Sequence, residues 1–343
     1  MKSTIEDVAR EAGVSITTVS RALNGNYPVK KETMERVHQA VKKLEYQPNP
    51  LARGLINKRT DTIGVVVPGL TNMFFTEVLE GIEEKAKQKG FEVLIASTKG
   101  SAEYEKSCVN KLIEKLVDGI IIIDPQTENI TSGFLEDIAL KLPLICVNGL
   151  HNNVNCSFII SDQEKGTWDA LSYLLSLGHT HIGFIRGGES YSYDLKENIC
   201  KRWAQENNCQ VNIVHVRDGN SIMVVQNTAE EIKSLHKERL NIGAEVTAFF
   251  CCNDLMAVGV LNACRELNIS VPEDVSIIGF DNIIMSQMTS PNLTTVDQSM
   301  KELGIRAAKA ILSMVENKSL SMDKELVDTV LVKRESCAKK NVK

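Results

Sequence analysis

The chain has 343 residues, of which 43% are hydrophobic and 24% are charged, a composition typical of globular proteins with two or three domains. No apolar run approaches the roughly 20 residues of a membrane span, and nine scattered cysteines without a CxxC pair favour reduced thiols over a disulfide framework. The net charge of −5 conceals a basic N-terminal part, since residues 1–60 hold 11 Lys and Arg but only six Asp and Glu.

The first predicted elements are two short helices between Thr4 and Leu23. Thr4 and Ser15 are suited to cap them, and Gly13 can take the left-handed conformation that ends the first helix. This is the form of a helix-turn-helix, whose second helix enters a DNA major groove, although a packed helical hairpin without a ligand has the same pattern. The outward side chains of the second helix would be Ile16, Thr17, Ser20 and Arg21.

A third helix over 31–44 would complete an all-α domain at 1–46. A hinge at 47–60 follows, where Pro48 and Pro50 prevent a helix before residue 50 and leave room only for a short one. Such a helix is unstable alone, so we expect the segment to order only when something holds it. A solvated linker is the alternative.

From residue 61 to the end, short apolar strands alternate with helices. This pattern predicts parallel sheets covered on both faces. Because there are two successive sets, we expect two doubly wound α/β subdomains with a ligand cleft at the carboxyl ends of the strands. A strand at 326–334 is expected to cross back between them. The predicted bounds are 61–160 and 291–322 for the first subdomain, and 161–290 and 323–343 for the second.

The segment TIEDVAREAGVSITTVSRALNG resembles the N-terminus of the lactose/galactose repressor family of bacterial regulators, above all in GVS, TVSR and Asn24-Gly25. The resemblance extends to about Ser336. It implies a periplasmic-binding-protein-like core that binds a small-molecule effector. It also implies a hinge helix that pushes a leucine into the minor groove of operator DNA. The residues expected to contact DNA are Thr4, Ser15, Ile16, Thr17, Ser20, Arg21, Asn24, Arg53 and Leu55.

Polar side chains follow several predicted strands of the core. Amides and carboxylates there can bind hydroxyl groups, and an aromatic ring can cover a sugar or a base. Each Asn or Asp is, by itself, equally suited to cap a helix or a turn. Convergence on one cleft and matches to effector positions of the family select Asn72, Phe74, Asn148, Asn253, Asp281 and Gln298.

One segment departs from the family. Family members usually carry an arginine after the strand HIGFIRG, and that arginine binds the small molecule. Here Leu195 stands at or beside its place, with Lys196 as the alternative, and Cys200 replaces a glycine. Ser221 stands near the place of an expected aromatic residue. We therefore expect a pocket, but weak or no binding of simple hexoses.

Enzyme signatures are not found: there is no phosphate loop, HExxH, GxSxG or dinucleotide motif. His179-Thr180-His181 follows a helix-ending glycine, which favours a structural role over a metal site. No catalytic residue, metal or cofactor is predicted.

The predicted function is therefore a cytoplasmic transcriptional repressor that binds a palindromic operator and responds to a small molecule. One helix-turn-helix reads few base pairs, so we expect a homodimer, with no membrane partner. A ligand-binding protein without DNA function is one alternative. A regulator controlled by a protein corepressor is another. The operator, the effector and the direction of its effect cannot be deduced.

Overall fold

The computed structural model describes residues 3–24, 28–46, 59–149, 154–217, 221–238, 242–243, 245–317 and 324–340. The chain divides into two compact units, Met1–Thr60 and Asp61–Lys343. Within the described ranges no helix is long and apolar enough to cross a bilayer.

The first unit is a three-helix domain. One valine from each helix is fully buried in its core, namely Val8, Val19 and Val37. The predicted caps are present: Thr4 Oγ1 accepts from the backbone N of Asp7 at 3.3 Å, and Gly13 has a φ of 64°. The predicted helices are therefore confirmed, with the bounds α1 (Ile5–Ala12), α2 (Ile16–Asn24) and α3 (Lys31–Lys43).

The second unit begins with a parallel sheet, as predicted. Its described strands lie in the order β11-β5-β4-β3-β1-β2. They are β1 (Thr62–Val67), β2 (Glu92–Ser97), β3 (Gly119–Ile123), β4 (Leu144–Val147), β5 (Ser157–Ser161) and β11 (Lys324–Val327). The helices of this subdomain are α4 (Met73–Gln88), α5 (Ala102–Glu114), α6 (Thr127–Thr131), α7 (Phe134–Ala139) and α12 (Met300–Asn317).

A second sheet has the order β12-β10-β9-β8-β6-β7, and only β12 pairs antiparallel with its neighbour. Its strands are β6 (His181–Arg186), β7 (Gln210–His215), β8 (Ala248–Cys251), β9 (Ser276–Asp281), β10 (Thr294–Asp297) and β12 (Val330–Val332). The elements packed with it are α8 (Gln163–Ser176), α9 (Tyr191–Glu206), α10 (Val224–Glu238), α11 (Asp254–Glu266) and a 3₁₀ turn (Ile284–Gln287). The central strands are apolar and buried on both faces, as expected for doubly wound sheets.

The division between the two subdomains differs from the prediction in two places. The range 291–322 was assigned to the first subdomain, but β10 lies in the second sheet. The expected single strand at 326–334 is two strands, because β11 lies in the first sheet and β12 in the second. Asp328 and Thr329 break it as a polar pair between the apolar residues Leu326-Val327 and the apolar run Val330–Val332.

The chain crosses between the sheets near residues 162, 298 and 328. The first and last crossings are bonded together. Asp162 N donates to the Val327 carbonyl at 2.8 Å, and Thr329 Oγ1 donates to the Asp162 carbonyl at 2.8 Å. Lys165 Nζ adds a bond of 2.9 Å to the Thr329 carbonyl. The two subdomains are therefore joined at a hydrogen-bonded connection rather than by loose loops.

Of the two histidines in the segment His179-Thr180-His181, His179 has a structural role. Its Nδ1 lies 3.0 Å from Thr247 Oγ1, and its Nε2 lies 3.0 Å from the Ala338 carbonyl. With both ring nitrogens engaged, His179 fixes the C-terminal segment to the second sheet.

Helices α4 and α12 touch through their backbones. A Cβ atom added at Gly304 would lie 2.0 Å from the Val78 carbonyl oxygen, and one added at Gly81 would lie 2.2 Å from that of Lys301. Real Cβ atoms do not approach this closely, so both positions require glycine.

Replacing Gly304 with alanine therefore forces the two helices apart. We expect Gly304→Ala to lower the free energy of unfolding by about 1–3 kcal/mol, the usual cost of overpacking, although alanine favours a helix by about 1 kcal/mol over glycine. Urea denaturation followed by circular dichroism measures the change. Gly69→Ala is the control, because an added Cβ there meets nothing within 4 Å. Equal midpoints for the two variants would contradict the close contact.

Candidate functional site

The exposed face of α2 has the composition of a binding surface. Ile16 is 46% exposed, and Thr17 and Arg21 beside it are also exposed. Val19 and Ala22 point into the core. The outward face predicted from the sequence is therefore present.

The start of α2 is fixed by its cap. Ser15 Oγ accepts from Thr18 N at 3.2 Å, so the first turn, with Ile16 and Thr17, is held in a defined position. Ser20 is half-buried. The side chain of Asn24, and residues Arg53 and Leu55 with the rest of the predicted hinge helix, lie outside the described residues. Their contacts with DNA stay predictions.

In the second unit, one cavity lies between the two subdomains at the carboxyl ends of their strands. All six residues predicted for the effector cleft line it. Its free volume is about 40 Å³, whereas small-ligand pockets are typically about 300–1,000 Å³. The cleft is thus closed in this structure, and a ligand larger than a few water molecules requires its walls to separate. The predicted lining residues are Asn72, Phe74, Asn148, Asn253, Asp281 and Gln298.

A chain of hydrogen bonds links the two walls through the crossing at Gln298. Gln298 Nε2 donates to Asp281 Oδ1 at 2.6 Å, and Ser161 Oγ lies 2.5 Å from Gln298 Oε1. Ser161 N donates to Asn148 Oδ1 at 3.0 Å. Burial raises the pKa of Asp281 well above its ordinary value. The cleft therefore holds a carboxyl group that is costly to ionise.

Two of the asparagines also cap helices, which was the alternative reading of their sequence positions. Asn72 Oδ1 accepts from Phe74 N at 3.0 Å, and Asn253 Oδ1 accepts from Met256 N at 2.9 Å. Asn253 Nδ2 also donates to the Tyr193 hydroxyl at 3.3 Å. Capping fixes both side chains at the cavity wall, so the two roles coexist.

Lys196, rather than Leu195, lines this cavity. Lys196 is 1% exposed, its Nζ donates to Ser192 Oγ at 2.9 Å, and the same atom lies 4.1 Å from the centre of the Phe280 ring. Burial lowers the pKa of its ammonium group. Leu195 lines a neighbouring cavity, which shares Asn148 with the cleft. The sequence left these two positions open because the place of the family arginine could be assigned only to within one residue.

Several lining residues were not predicted. Asp124 directly follows β3, just as Asn148 follows β4, so the same strand-end rule identifies it. The residues on α9 and before it had no such signal, because helix periodicity does not show which face meets a cleft. The additional residues are Phe75, Asp124, Ser190, Ser192, Tyr193 and Cys252.

The backbone is unusual at three lining residues. Asp124, Asn148 and Asp281 have positive φ angles of 49°, 60° and 123°. Non-glycine residues with positive φ are uncommon, and such conformations cluster at functional sites. The cavity is therefore built from strained strand ends rather than from ordinary turns.

Comparison with known proteins gives a consistent result. Residues 4–49 match the domain described as bacterial regulatory proteins, lacI family, and residues 171–337 match a periplasmic binding protein-like domain. The chain is 32% identical to catabolite control protein A of Priestia megaterium over 335 residues, 97% of this chain and 96% of that protein. It is 35% identical to the HTH-type transcriptional regulator DegA of Bacillus subtilis over 342 residues, 99% and 100% of the two chains.

A solved structure extends the likeness to the whole architecture. The Lac repressor dimer bound to operator and the anti-inducer ONPF matches with a TM-score of 0.86 and 27% identity, over 98% of this chain and 100% of that one.

Proposed function

This chain belongs to the lacI family of bacterial regulatory proteins, and we propose that it represses transcription as a homodimer whose affinity for a palindromic operator depends on a small molecule in the core cleft. It is a DNA-binding transcriptional regulator and not an enzyme. The observation that carries the proposal is that one chain has both an exposed helix-turn-helix face and a polar cavity between the two subdomains of its core. A helix-turn-helix domain at 1–46, a hinge at 47–60 and an effector core at 61–343 form the proposed organisation, in the cytoplasm with the DNA.

The start of α2 is the proposed reading surface. Residues at the N-terminal end of a recognition helix contact base edges. Ile16 and Thr17 occupy that end and are exposed. Ile16 offers an apolar contact of the kind that recognises a thymine methyl group, and Arg21 can reach a guanine or a phosphate.

The dimer is supported by the solved neighbour, which is a dimer on its operator, and by exposed apolar side chains. Leu94 and Ile95 lie on β2, an edge strand, and are 36% and 53% exposed. Edge strands that expose apolar residues are suited to pairing with another chain. We propose that a second copy covers this edge.

The effector cleft is proposed to open and close by a hinge motion of the two subdomains. The walls meet at Thr71, where Ile222 N donates to Thr71 Oγ1 at 3.4 Å, while the crossings hold them together elsewhere. A ligand that enters must break the Thr71 contact and keep the crossings. A coupling of about 1–3 kcal/mol between the cleft and DNA binding changes operator occupancy severalfold or more.

The first prediction concerns base readout. Selection from a randomised operator library should give a different preferred sequence for the double variant Ile16→Ser and Thr17→Gln. Each altered base contact is expected to change the preference by about 1–3 kcal/mol. Glu35→Gln, at an exposed position of α3, should keep the wild-type preference. An unchanged preference with weaker overall binding would make these two residues positioning residues.

The second prediction concerns assembly. Sedimentation at micromolar concentration should show a dimer, and Ile95→Asp should weaken association about tenfold or more by placing a charge in the apolar contact. Leu140→Asp is the matched control, since Leu140 is an exposed leucine at the end of α7, away from β2. A monomer both with and without operator would refute the proposed dimer.

The third prediction concerns the ligand. Calorimetry against a metabolite panel should identify an effector whose affinity falls about tenfold or more in Asp281→Ala, because leaving a buried hydrogen-bond partner unsatisfied costs about 1–3 kcal/mol. Simple hexoses should bind weakly or not at all, since Leu195 stands at or beside the place of the usual arginine.

Asp281→Asn separates the loss of the carboxyl group from the loss of side-chain shape. Tight hexose binding that survives Asp281→Ala would contradict both the site and the ligand preference. If no metabolite binds and a protein partner alters operator binding instead, control by a protein corepressor replaces the proposal.

A further inference from the structure

The described residues that line the closed cleft include three acidic or basic side chains. Asp124 belongs to the wall of the first sheet, and Lys196 and Asp281 belong to the wall of the second. Burial raises the pKa of both carboxyl groups and lowers the pKa of the ammonium group, so each charge that persists there depends on a hydrogen bond or a partner of opposite sign. The cavity admits only a few water molecules that could take the place of such a partner.

The second wall compensates its own charges. Lys196 Nζ is held by Ser192 at 2.9 Å, and Asp281 Oδ1 is held by Gln298 at 2.6 Å. Lys196 and Asp281 attract each other within this wall. Arg186, behind the wall, forms ion pairs with Asp194 and Glu197.

Asp124 has no such compensation. Its backbone N donates to the Val147 carbonyl at 2.8 Å, but within the described part of the chain no hydrogen bond or ion pair within 4 Å reaches its carboxylate. Burial raises the pKa of Asp124 to about 6, and the more distant Lys196 opposes the shift. A half-buried carboxylate without a donor is unfavourable, so the first wall presents an unsatisfied acceptor to the cavity.

We propose that the effector is a small hydroxylated amine, and that Asp124 selects it by binding its ammonium group. This inference rests on the proposed function, namely that the cavity takes a small molecule. An ammonium group on Asp124 supplies the donor that this carboxylate lacks and leaves Lys196 with Ser192 and Asp281. An anionic ligand would leave the Asp124 carboxylate without a donor.

The rest of the lining fits such a molecule. The amides of Asn72, Asn148 and Asn253 can bind hydroxyl groups. Phe74 and Phe75 pack edge to face, with ring centres 5.5 Å apart, and both line the cavity. Aromatic faces cover the apolar side of a sugar-like ring and also stabilise a cation.

Matched sets of ligands test the charge preference on the full-length protein. Each set shares a carbon skeleton and differs in one group: glucosamine, glucose and glucuronate; galactosamine, galactose and galacturonate; 1-amino-1-deoxysorbitol, sorbitol and gluconate. A metabolite library of the three charge classes extends the screen. Thermal shift finds the binders, and calorimetry measures their affinities.

We expect the binders to be amines, each with an affinity about tenfold or more above that of its hydroxyl counterpart, because charge-assisted hydrogen bonds are roughly twice as strong as neutral ones. In Asp124→Asn, which keeps the shape of the side chain, this preference should disappear. Asp137→Asn is the control, since Asp137 is an exposed acidic residue of the same subdomain outside the cavity, and it should retain the wild-type preference.

Tightest binding by a hydroxyl or acid member, or an amine preference that survives Asp124→Asn, would overturn the assignment and leave the proposed regulator intact. Failure of every ligand class to bind would instead contradict control by a small molecule, and the assignment with it.

Discussion

The core depends on a hydrogen-bonded connection between two sheets that share no strand. The backbone of Asp162 bonds both Val327 and Thr329, and Gln298 joins Asp281 to Ser161. These bonds lie where the chain passes from one subdomain to the other. Because the crossings cannot separate without losing them, relative motion of the walls is restricted to bending about this line. The cavity beside it can therefore open and close while its floor stays in place.

Burial explains why this cavity is suited to a charged effector. Bringing the walls together removes water from Asp124, Lys196 and Asp281. Burial then raises the pKa of both carboxyl groups and lowers that of the ammonium group, so the neutral form of each is favoured. Closure without a ligand therefore costs free energy that a ligand of the right charge recovers. A ligand shifts a conformational equilibrium only when it binds the two conformations with different affinities. The free energy recovered on binding to the closed cleft is such a difference.

Much of the fold could be predicted from the sequence, because apolar strands and amphipathic helices follow simple periodicities. The strand-end rule also found Asn148, Asn253 and Asp281, since parallel strands bring their carboxyl ends to one edge. The pattern could not show that the segment around Asp328 changes sheets, because a polar pair within an apolar run does not show which sheet each side joins. Nor could it decide between Leu195 and Lys196, since that choice depends on which face of α9 meets the cleft. Whether a charged group in the cleft has a partner depends on distances across the cleft, and local sequence patterns do not give those distances.

The glycine contact between α4 and α12 has a mechanical consequence. Helix α4 begins beside Phe74 at the cleft, and α12 begins two residues after Gln298 at the crossing. Where their backbones touch, no side chain lies between them that could change rotamer and absorb a displacement. The two helices are therefore expected to move together: a displacement of Phe74 passes from α4 to α12, because no side chain between them can change rotamer and take it up.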